Sequence, residues 1–372
     1  IILVIAYDQQ FAIAVSSLQA VLIAMALNMS AGSYFVALAA CVLAIAQLRR
    51  VRHRSTLVRT GFITGLFVAV GAFAVGLAEK NTVEGIFVAL GWQALAAFLG
   101  ALLIGFFVLG ILPFIEKAFK VTTAMTLLEL GDVNRPLLRK LAQAAPGTFN
   151  HSLTIAIIAE AAAEAIGADG LLTRVGAYYH DIGKMNKPQY FIENQGGGPN
   201  RHEKLSPAMS LLIIVGHVKD GQEMAKEYGL PRCLHQFIAT HHGTTLVEYF
   251  YHAAKEAAGD DSAQPSEFEF RYPGPKPQCR EAAILMLCDT VESASRTLPD
   301  PTPSRVEQLV HRLAMKRLMD GQFDESAMTL EELHRVEEAI TKALSGIYHG
   351  RIKYPTDKPK PEPAGAPASQ VA

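Results

Sequence analysis

Hydrophobic residues are spread unevenly along the chain, and most of the apolar excess lies before residue 120. A helix of roughly 20 residues crosses about 30 Å of bilayer hydrocarbon. Four apolar stretches reach or approach this length, at residues 11–28, 32–48, 61–78 and 86–115, and residues 1–6 resemble the end of an earlier span. Several such stretches in succession favour membrane spans over buried core helices. The pattern therefore predicts an N-terminal transmembrane helical bundle, with a lipid bilayer as its partner.

The arginines of one short loop indicate how these spans are oriented. Loops rich in Lys and Arg stay on the cytoplasmic side of a membrane, and this loop carries Arg49, Arg50, Arg52, Arg54 and Arg59. If residues 86–115 form one tilted span, everything after Phe114 is cytoplasmic, whereas two spans would place it outside. Lys117, Lys120 and the pattern of cysteines favour a single span.

From residue 121 onward the hydrophobic pattern has helical periodicity and no clear strand alternation, so we expect an all-α fold. Two short helices are predicted at residues 122–130 and 135–144, and a long helix at residues 146–166. Further helical patterns cover residues 171–180, 206–228, 231–240, 246–258, 280–297, 304–320 and 330–348. Residues 194–200 and 260–278 break the pattern as loops. The tail is rich in Pro and Ala and is expected to be disordered.

The pattern divides the chain into four parts: transmembrane helices at 1–120, connector helices at 121–145, a cytoplasmic domain at 146–350 and a tail at 351–372. The 34 Lys and Arg balance 35 Asp and Glu, so nothing suggests a nucleic-acid polymer as partner. Four cysteines without CxxC spacing indicate neither disulfides nor a zinc knuckle and fit a reducing compartment. Because the chain begins at Ile1 rather than Met, we expect a fragment of a longer protein.

Seven histidines and aspartates of the cytoplasmic domain are potential metal ligands: His151, His180, Asp181, His217, His241, His242 and Asp289. Asp289 lies in the apolar stretch AAILMLCDTVESA, where an unpaired carboxylate costs several kcal/mol. Each residue alone could be a satisfied buried polar group, but seven together favour a metal site. Five His and two Asp can hold two divalent ions if one carboxylate bridges them. Such ligands suit iron, manganese or zinc better than calcium.

Other polar residues near these positions leave more than one interpretation open. Lys184, in the sequence HDIGK, could contact phosphate oxygens as a point charge. His202 could support a ligand, contact a phosphate or be an ordinary loop histidine. Arg271 and Lys276 could line a nucleotide site, although solvated loop charges are favoured.

The order H…HD…H…HH…D resembles that of the HD-domain metal-dependent phosphohydrolases. Within that superfamily, the chain resembles the seven-transmembrane HD phosphodiesterases that hydrolyse cyclic di-AMP, over roughly residues 11–350. The resemblance rests on APGTFNHSL, VGAYYHDIGKMNKPQYFIENQ, HEKLSP, GHVKDG, FIATHHGTTLVEYFYHAA, FRYPGPKPQ and ILMLCDTVESASR. One departure is Asn150, where the family often has a second His before the ligand His151.

The resemblance implies an all-helical HD-type phosphohydrolase domain behind a fragment of a seven-transmembrane region in a bacterial membrane. One metal, manganese or iron, would be held by His151, His180, Asp181 and Asp289, and the other by Asp181, His217, His241 and His242. Asp181 and Lys184 would be the catalytic residues, and a metal-activated water would open cyclic di-AMP to linear pApA.

Two alternatives remain open. The first is an HD phosphohydrolase acting on cyclic di-GMP, a nucleotide monophosphate or a guanosine polyphosphate. The second is a membrane receptor that binds a ligand without catalysis. The sequence identifies neither the metal nor the signal that is sensed, and it leaves open whether the chain forms a homo-oligomer.

Overall fold

The structure is a computed structural model that describes residues 2–6, 9–48, 54–79, 85–259 and 264–349. These residues form fifteen α-helices and five short 3₁₀ helices. The described part of the chain contains no strand, and its one isolated β-bridge joins Leu246 to Arg271. The predicted all-α class is therefore confirmed. Arg49, Arg50 and Arg52 of the arginine-rich loop lie outside the described residues, as does the predicted disordered tail.

The N-terminal third consists of apolar helices: α1 (Ile2–Ala6), α2 (Gln9–Ala26), α3 (Ala31–Gln47), α4 (Arg54–Glu79) and α5 (Ile86–Phe119). By length and composition, α2, α4 and α5 could each cross a membrane, and α3 is a shorter apolar helix. Large apolar side chains, among them Met25, Trp92 and Phe107, are exposed on this bundle. Such exposure fits a surface that faces lipid, as expected for an N-terminal transmembrane bundle.

Helix α5 is continuous over 34 residues. At 1.5 Å per residue this corresponds to about 51 Å, more than the hydrocarbon core of a bilayer requires. The single helix agrees with the prediction of one tilted span over this stretch. Helix α4 begins at Arg54, seven residues before the predicted start of its span, because arginine favours a helix although it is not apolar.

Glycines bring α4 and α5 into close backbone contact. A β-carbon on Gly61 would lie 3.2 Å from the carbonyl oxygen of Ala101, and one on Gly105 would lie 3.1 Å from that of Leu57. Small residues are common where membrane helices approach each other closely. The α4–α5 pair therefore packs as membrane helices commonly do.

Two connector helices, α6 (Ala124–Leu130) and α7 (Pro136–Ala144), follow the membrane helices. Leu127, Leu138 and Leu141 are buried in the same hydrophobic cluster as the helices further along the chain. The hydroxyl of Tyr179 donates a hydrogen bond to the carbonyl of Leu130 at 2.8 Å. The connector helices and the following domain therefore share one hydrophobic core.

The remaining helices form the domain that carries the seven potential ligands: α8 (Pro146–Ala165), α9 (Gly170–Tyr179), α10 (Pro207–Glu227), α11 (Arg232–Thr240), α12 (Glu248–Ala258), α13 (Arg280–Ser295), α14 (Pro303–Met319) and α15 (Leu330–His349). Every residue of α13 from Ala282 to Asp289 is buried. Helix α13 thus lies at the centre of the domain and carries Asp289 into its interior.

Short 3₁₀ helices at Ile182–Asn186, Pro188–Tyr190, Ile192–Asn194 and Arg201–Lys204 fill most of the chain between α9 and α10. The sequence analysis predicted only a loop at residues 194–200 here. The four 3₁₀ helices were not predicted because each is too short to produce a helical repeat of apolar residues. We call residues 182–204 the connecting segment, because it leads from the His180-Asp181 pair to the helix that carries His217.

Candidate metal centre

The structure brings all seven potential ligands together in two groups. Asp181, His217, His241 and His242 form one group, and His151, His180 and Asp289 form the other. Within each group, the ligand atoms lie within 4.8 Å of one another. Six of the seven residues are buried, and His242 is partly exposed. So many buried imidazoles and carboxylates in one place require a cation or a network of protons.

Five helices supply these side chains from separate parts of the sequence. His151 lies in the second turn of α8, and Asp289 lies in the buried part of α13. The His180-Asp181 pair follows the end of α9, and the His241-His242 pair follows the end of α11. His217 lies in the middle of α10. The ends of α9 and α11 allow adjacent residues to turn toward different parts of the centre.

Three histidines are oriented by the backbone of their own helical turns. The Nδ1 atoms of His180, His217 and His241 lie 2.7, 2.5 and 2.9 Å from the carbonyl oxygens of Ala177, Ile214 and Ile238. A carbonyl oxygen can only accept, so each Nδ1 carries the proton and each Nε2 presents a lone pair. Burial also lowers the pKa of His217 to about 3, which keeps this imidazole neutral. All three Nε2 atoms are therefore prepared for metal coordination.

These lone pairs lie too close together to be satisfied by one another. The Nε2 atoms of His217 and His241 are 3.1 Å apart, and both lie within 3.4 Å of Asp181 Oδ1. Neither His180 Nε2 nor Asp181 Oδ1 has a hydrogen-bond partner, although both are buried. Burial favours a neutral Asp181, but the charge of Lys184 holds the pKa of this carboxyl well below its usual range. Acceptors that face one another in this way fit a bound divalent cation.

His151 is oriented by a carboxylate instead of a carbonyl. Its Nδ1 lies 2.6 Å from Glu292, and its Nε2 lies 2.9 Å from Asp289. Arg296 donates to the other oxygen of Glu292 at 2.9 Å. Burial opposes protonation, but the carboxylates of Asp289 and Glu292 outweigh it and raise the pKa of His151 to about 9. A carboxylate–histidine pair of this kind fixes the orientation of a ligand.

The sequence analysis missed Glu292, although a signal was available. Glu292 follows Asp289 by three residues in the same apolar helix, and residues at this spacing share one helix face. An acidic residue on the same buried face as a predicted ligand is a natural partner for a ligand histidine.

Lys184 lies between two carboxylates at the edge of the centre. Its Nζ is 2.7 Å from Asp181 Oδ2 and 3.0 Å from Glu193 Oε1. Burial alone would lower the pKa of Lys184, but the charges of Asp181 and Glu193 outweigh it and raise the pKa. The lysine is therefore cationic, and it places a positive charge at the edge of the centre.

The connecting segment also holds the first turn of α8. Glu193 accepts from the hydroxyl of Thr148 at 2.9 Å, and Asn194 Oδ1 accepts from the backbone N–H of Gly147 at 2.9 Å. A β-carbon on Gly147 would lie 1.9 Å from the carbonyl oxygen of Glu193, so only glycine fits there. Glu193 thus connects Lys184 to the helix that carries His151.

A cavity of about 320 Å³ lies beside the cluster. Lys184, His217 and His242 line it, and aromatic walls are formed by Tyr190, Phe191, Tyr249, Phe250 and Tyr272. The ring of Tyr272 stacks on His242, with centroids 4.3 Å apart and an interplanar angle of 26°. The cavity therefore joins potential metal ligands to flat apolar surfaces.

Arg271 and Lys276 are engaged in ion pairs away from this cavity. Arg271 contacts Asp320 at 2.9 Å and donates to the carbonyl of Thr244 at 2.8 Å, and Lys276 contacts Asp324 at 3.3 Å. The contact of Arg271 with Thr244 holds the loop that follows His242. They favour a structural role for Arg271 and Lys276 over a nucleotide site.

Comparisons with known proteins agree with this geometry. Residues 1–123 match the family model "7TM receptor with intracellular HD hydrolase", and residues 148–294 match "HD domain". An HD domain implies that divalent metal ions are bound. Together with the three long apolar helices, the first match indicates a membrane protein.

The chain is similar to two curated proteins called cyclic-di-AMP phosphodiesterase PgpH. It is 43% identical to the one from Bacillus subtilis over 302 residues, which are 81% of this chain and 42% of the relative. It is 40% identical to the one from Listeria monocytogenes over 316 residues, which are 84% of this chain and 43% of the relative. The chain thus spans less than half the length of these relatives.

Two solved structures are also similar. The crystal structure of the L. monocytogenes PgpH HD domain has a TM-score of 0.55 and 44% identity, and the match covers 58% of this chain and all of that domain. The same domain in complex with cyclic di-AMP matches with the same TM-score and identity over 58% of this chain and 99% of that one.

Proposed function

The chain belongs to the family of seven-transmembrane receptors with an intracellular HD hydrolase, and from this premise we propose that it is a membrane-bound, metal-dependent phosphodiesterase that hydrolyses cyclic di-AMP to linear pApA. The observation that carries the proposal is the convergence of seven potential ligand side chains in two adjoining groups beside an aromatic cavity. A receptor that only binds a ligand would not need such a cluster, so the convergence favours an enzyme.

The proposed division of ligands places one ion with His151, His180, Asp181 and Asp289, and the other with Asp181, His217, His241 and His242. Asp181 is suited to bridge them, because Oδ2 lies 3.2 Å from His180 Nε2 and Oδ1 lies 3.3 Å from His217 Nε2. Each oxygen of the carboxylate thus faces a different ligand group. Manganese or iron fits a set of imidazole nitrogens and carboxylate oxygens.

Two bound divalent ions would supply a water of lowered pKa and would stabilise negative charge on a phosphate. The side chains of the protein would do the rest. Lys184 would add positive charge at the side of the cluster that faces the cavity. Tyr190, Phe250 and Tyr272 would offer flat faces for a base, and stacking on an aromatic ring contributes about 1–3 kcal/mol per base.

The choice of cyclic di-AMP as substrate is supported by the relatives and by the form of the cavity. The two curated relatives carry the name cyclic-di-AMP phosphodiesterase, and the matched HD domain was crystallised with this dinucleotide. We further propose that the catalytic domain is cytoplasmic. The single helix α5 supports this orientation, as do Arg54 and Arg59 at the start of α4.

The experiment uses the full chain in detergent micelles, loaded with Mn²⁺, and chromatography of the nucleotide products. Cyclic di-AMP should be cleaved with a kcat/KM at least about tenfold above that for cyclic di-GMP, a difference of about 1.4 kcal/mol. Linear pApA should accumulate before AMP. A preference for cyclic di-GMP, or direct release of AMP, would contradict the proposed reaction and indicate that the same site acts on another substrate.

A further inference from the structure

His202 is a buried histidine on the wall of the cavity that the proposed ligand set does not use. It lies in the 3₁₀ helix Arg201–Lys204, is 8% exposed and lines the cavity together with Lys184 and His217. Its ring packs against Tyr190 and Phe250, with centroids 5.5 and 5.0 Å apart. The histidine is therefore held in place where a base would enter between aromatic side chains.

One nitrogen of His202 has a fixed role. Its Nε2 lies 2.8 Å from the backbone carbonyl oxygen of Tyr190. A carbonyl cannot donate, so Nε2 carries the proton, and Nδ1 presents a lone pair. This Nδ1 atom is buried and has no hydrogen-bond partner. An unsatisfied buried acceptor is destabilising, and a donor on a bound ligand would offset this cost.

We propose that His202 selects the base of the substrate, with Nδ1 accepting a hydrogen bond from the exocyclic amino group at position 6 of adenine. The inference rests on the proposed cyclic dinucleotide activity and specifies how that site distinguishes bases. Guanine and hypoxanthine carry a carbonyl oxygen at position 6, which would place two acceptors against each other. A site built to bond a donor rejects analogues that lack it, because its own polar atom stays unpaired.

Nδ1 of His202 is shielded from solvent in this structure, so a base that reaches it must shift side chains of the cavity wall. Ile192 and Tyr249 line the same cavity and are 82% and 69% exposed. Exposed side chains change rotamer within nanoseconds. The wall of the cavity can therefore adjust to a base without any change in the helices that carry the potential ligands.

The test compares cyclic di-AMP with cyclic di-inosine monophosphate. The base of the second compound carries a carbonyl oxygen instead of an amino group at position 6, and a proton on N1. The full chain with Mn²⁺ is assayed with both dinucleotides and with bis(p-nitrophenyl) phosphate, which has no base. We expect the unmodified chain to prefer cyclic di-AMP by at least about tenfold in kcat/KM. His202→Phe keeps a ring in place but removes the acceptor, and it should reduce this preference to less than about threefold.

Two further variants distinguish base selection from a structural role. His202→Gln can donate to Tyr190 and still present an amide oxygen, so it should retain most of the preference for adenine. His252→Phe alters an exposed histidine outside the cavity and should leave the preference unchanged. Turnover of bis(p-nitrophenyl) phosphate should be unchanged in His252→Phe, and the preference of each His202 variant is the ratio of its kcat/KM values for the two dinucleotides.

An unchanged preference in His202→Phe, with both dinucleotides still cleaved, would overturn the role of His202 and leave the proposed activity standing. Cleavage of bis(p-nitrophenyl) phosphate without cleavage of either dinucleotide by the unmodified chain would instead overturn the proposed substrate, and the role of His202 with it. If His202→Phe fails to fold, as a thermal melt would reveal, His202→Leu takes its place as the variant without an acceptor. Loss of the adenine preference in His202→Leu supports the proposal, and an unchanged preference overturns it.

Discussion

Gly183 packs so closely against α10 that a β-carbon at position 183 would lie 1.9 Å from the carbonyl oxygen of His217. Gly183 follows Asp181 by two residues, and His217 belongs to the same ligand group as Asp181. The close approach therefore sets the distance between the His180-Asp181 turn and the helix that carries His217. Only a residue without a side chain allows this contact.

Gly183→Ala should destabilise the protein, because the new methyl group overlaps a helix backbone that cannot move freely. We expect a loss of at least about 1–3 kcal/mol, typical of overpacked sites, together with weaker metal binding. Gly216→Ala is the matched control, since a β-carbon at that position in α10 would meet no atom within 4 Å. That variant should be neutral or more stable by up to about 1 kcal/mol. Equal melting temperatures for the two variants would contradict the packing argument.

Asp181 is predicted to be indispensable because each of its oxygens faces a different ligand group. Asp181→Ala should abolish turnover of cyclic di-AMP and lower the bound metal measured by elemental analysis. Asp181→Asn should also fail, since a neutral amide balances the charge of two cations poorly. Asp324→Asn, which removes an exposed partner of Lys276, serves as the control. It should keep both the turnover of cyclic di-AMP and the bound metal. Two metals per chain and full turnover in either Asp181 variant would refute the bridging role.

Glu292 is predicted to act through His151 and not on the substrate. Glu292→Gln should weaken metal binding by about 10–100-fold, the usual effect of losing a carboxylate partner of a ligand histidine. Activity should recover at high Mn²⁺ concentration, which separates weak metal binding from a defect in the reaction itself. Glu307→Gln, on the exposed face of α14, should show no such dependence on metal. A Glu292 variant that stays inactive at saturating Mn²⁺ would speak against this positioning role.

The sequence predicted the helices of the domain well because their apolar residues repeat at helical spacing. From α6 to α15, each helix lies within two residues of its predicted range. The seven potential ligands were also identified from sequence, since buried His and Asp residues are conspicuous in apolar stretches. In both cases a local pattern carries the information.

The connecting segment and its contacts could not be predicted in the same way. Glu193 meets Thr148 across 45 positions of sequence, and His151 meets Glu292 across 141. Such contacts depend on how α8, α13 and the connecting segment pack, and no local repeat records this. The unpaired Nδ1 of His202 likewise becomes visible only when its neighbours are in place.

Removal of the metal should destabilise the protein, because acceptors only 3.1 Å apart would then face each other without a cation. An ion at 100 times its dissociation constant stabilises a fold by about 2.7 kcal/mol. Chelation should therefore lower the melting temperature, and Mn²⁺ should restore it better than Ca²⁺, which prefers oxygen ligands. In Asp181→Ala, chelation should lower the melting temperature by less than in the unmodified chain. A melting temperature that does not respond to chelation in the metal-loaded chain would contradict the proposed centre.

The orientation of the membrane helices can be tested by cysteine labelling in intact cells. The four native cysteines would first be replaced by Ser, at positions Cys41, Cys233, Cys279 and Cys288. Ser55→Cys lies at the start of α4, Thr122→Cys follows the end of α5, and Glu79→Cys lies at the last residue of α4. If α4 and α5 each cross once, an impermeant reagent should label only Glu79→Cys.

This pattern follows from the arginines at one end of α4 and the unbroken length of α5. Because α5 returns the chain to the side on which α4 begins, the first residues of the connector must share the side of Arg54. An ion pair supports this arrangement, since Arg54 contacts Glu129 of α6 at 2.5 Å. Permeabilised cells provide the control, because all three cysteines should then react. External labelling of Thr122→Cys in intact cells would refute the single crossing of α5 and place the metal centre outside the cytoplasm.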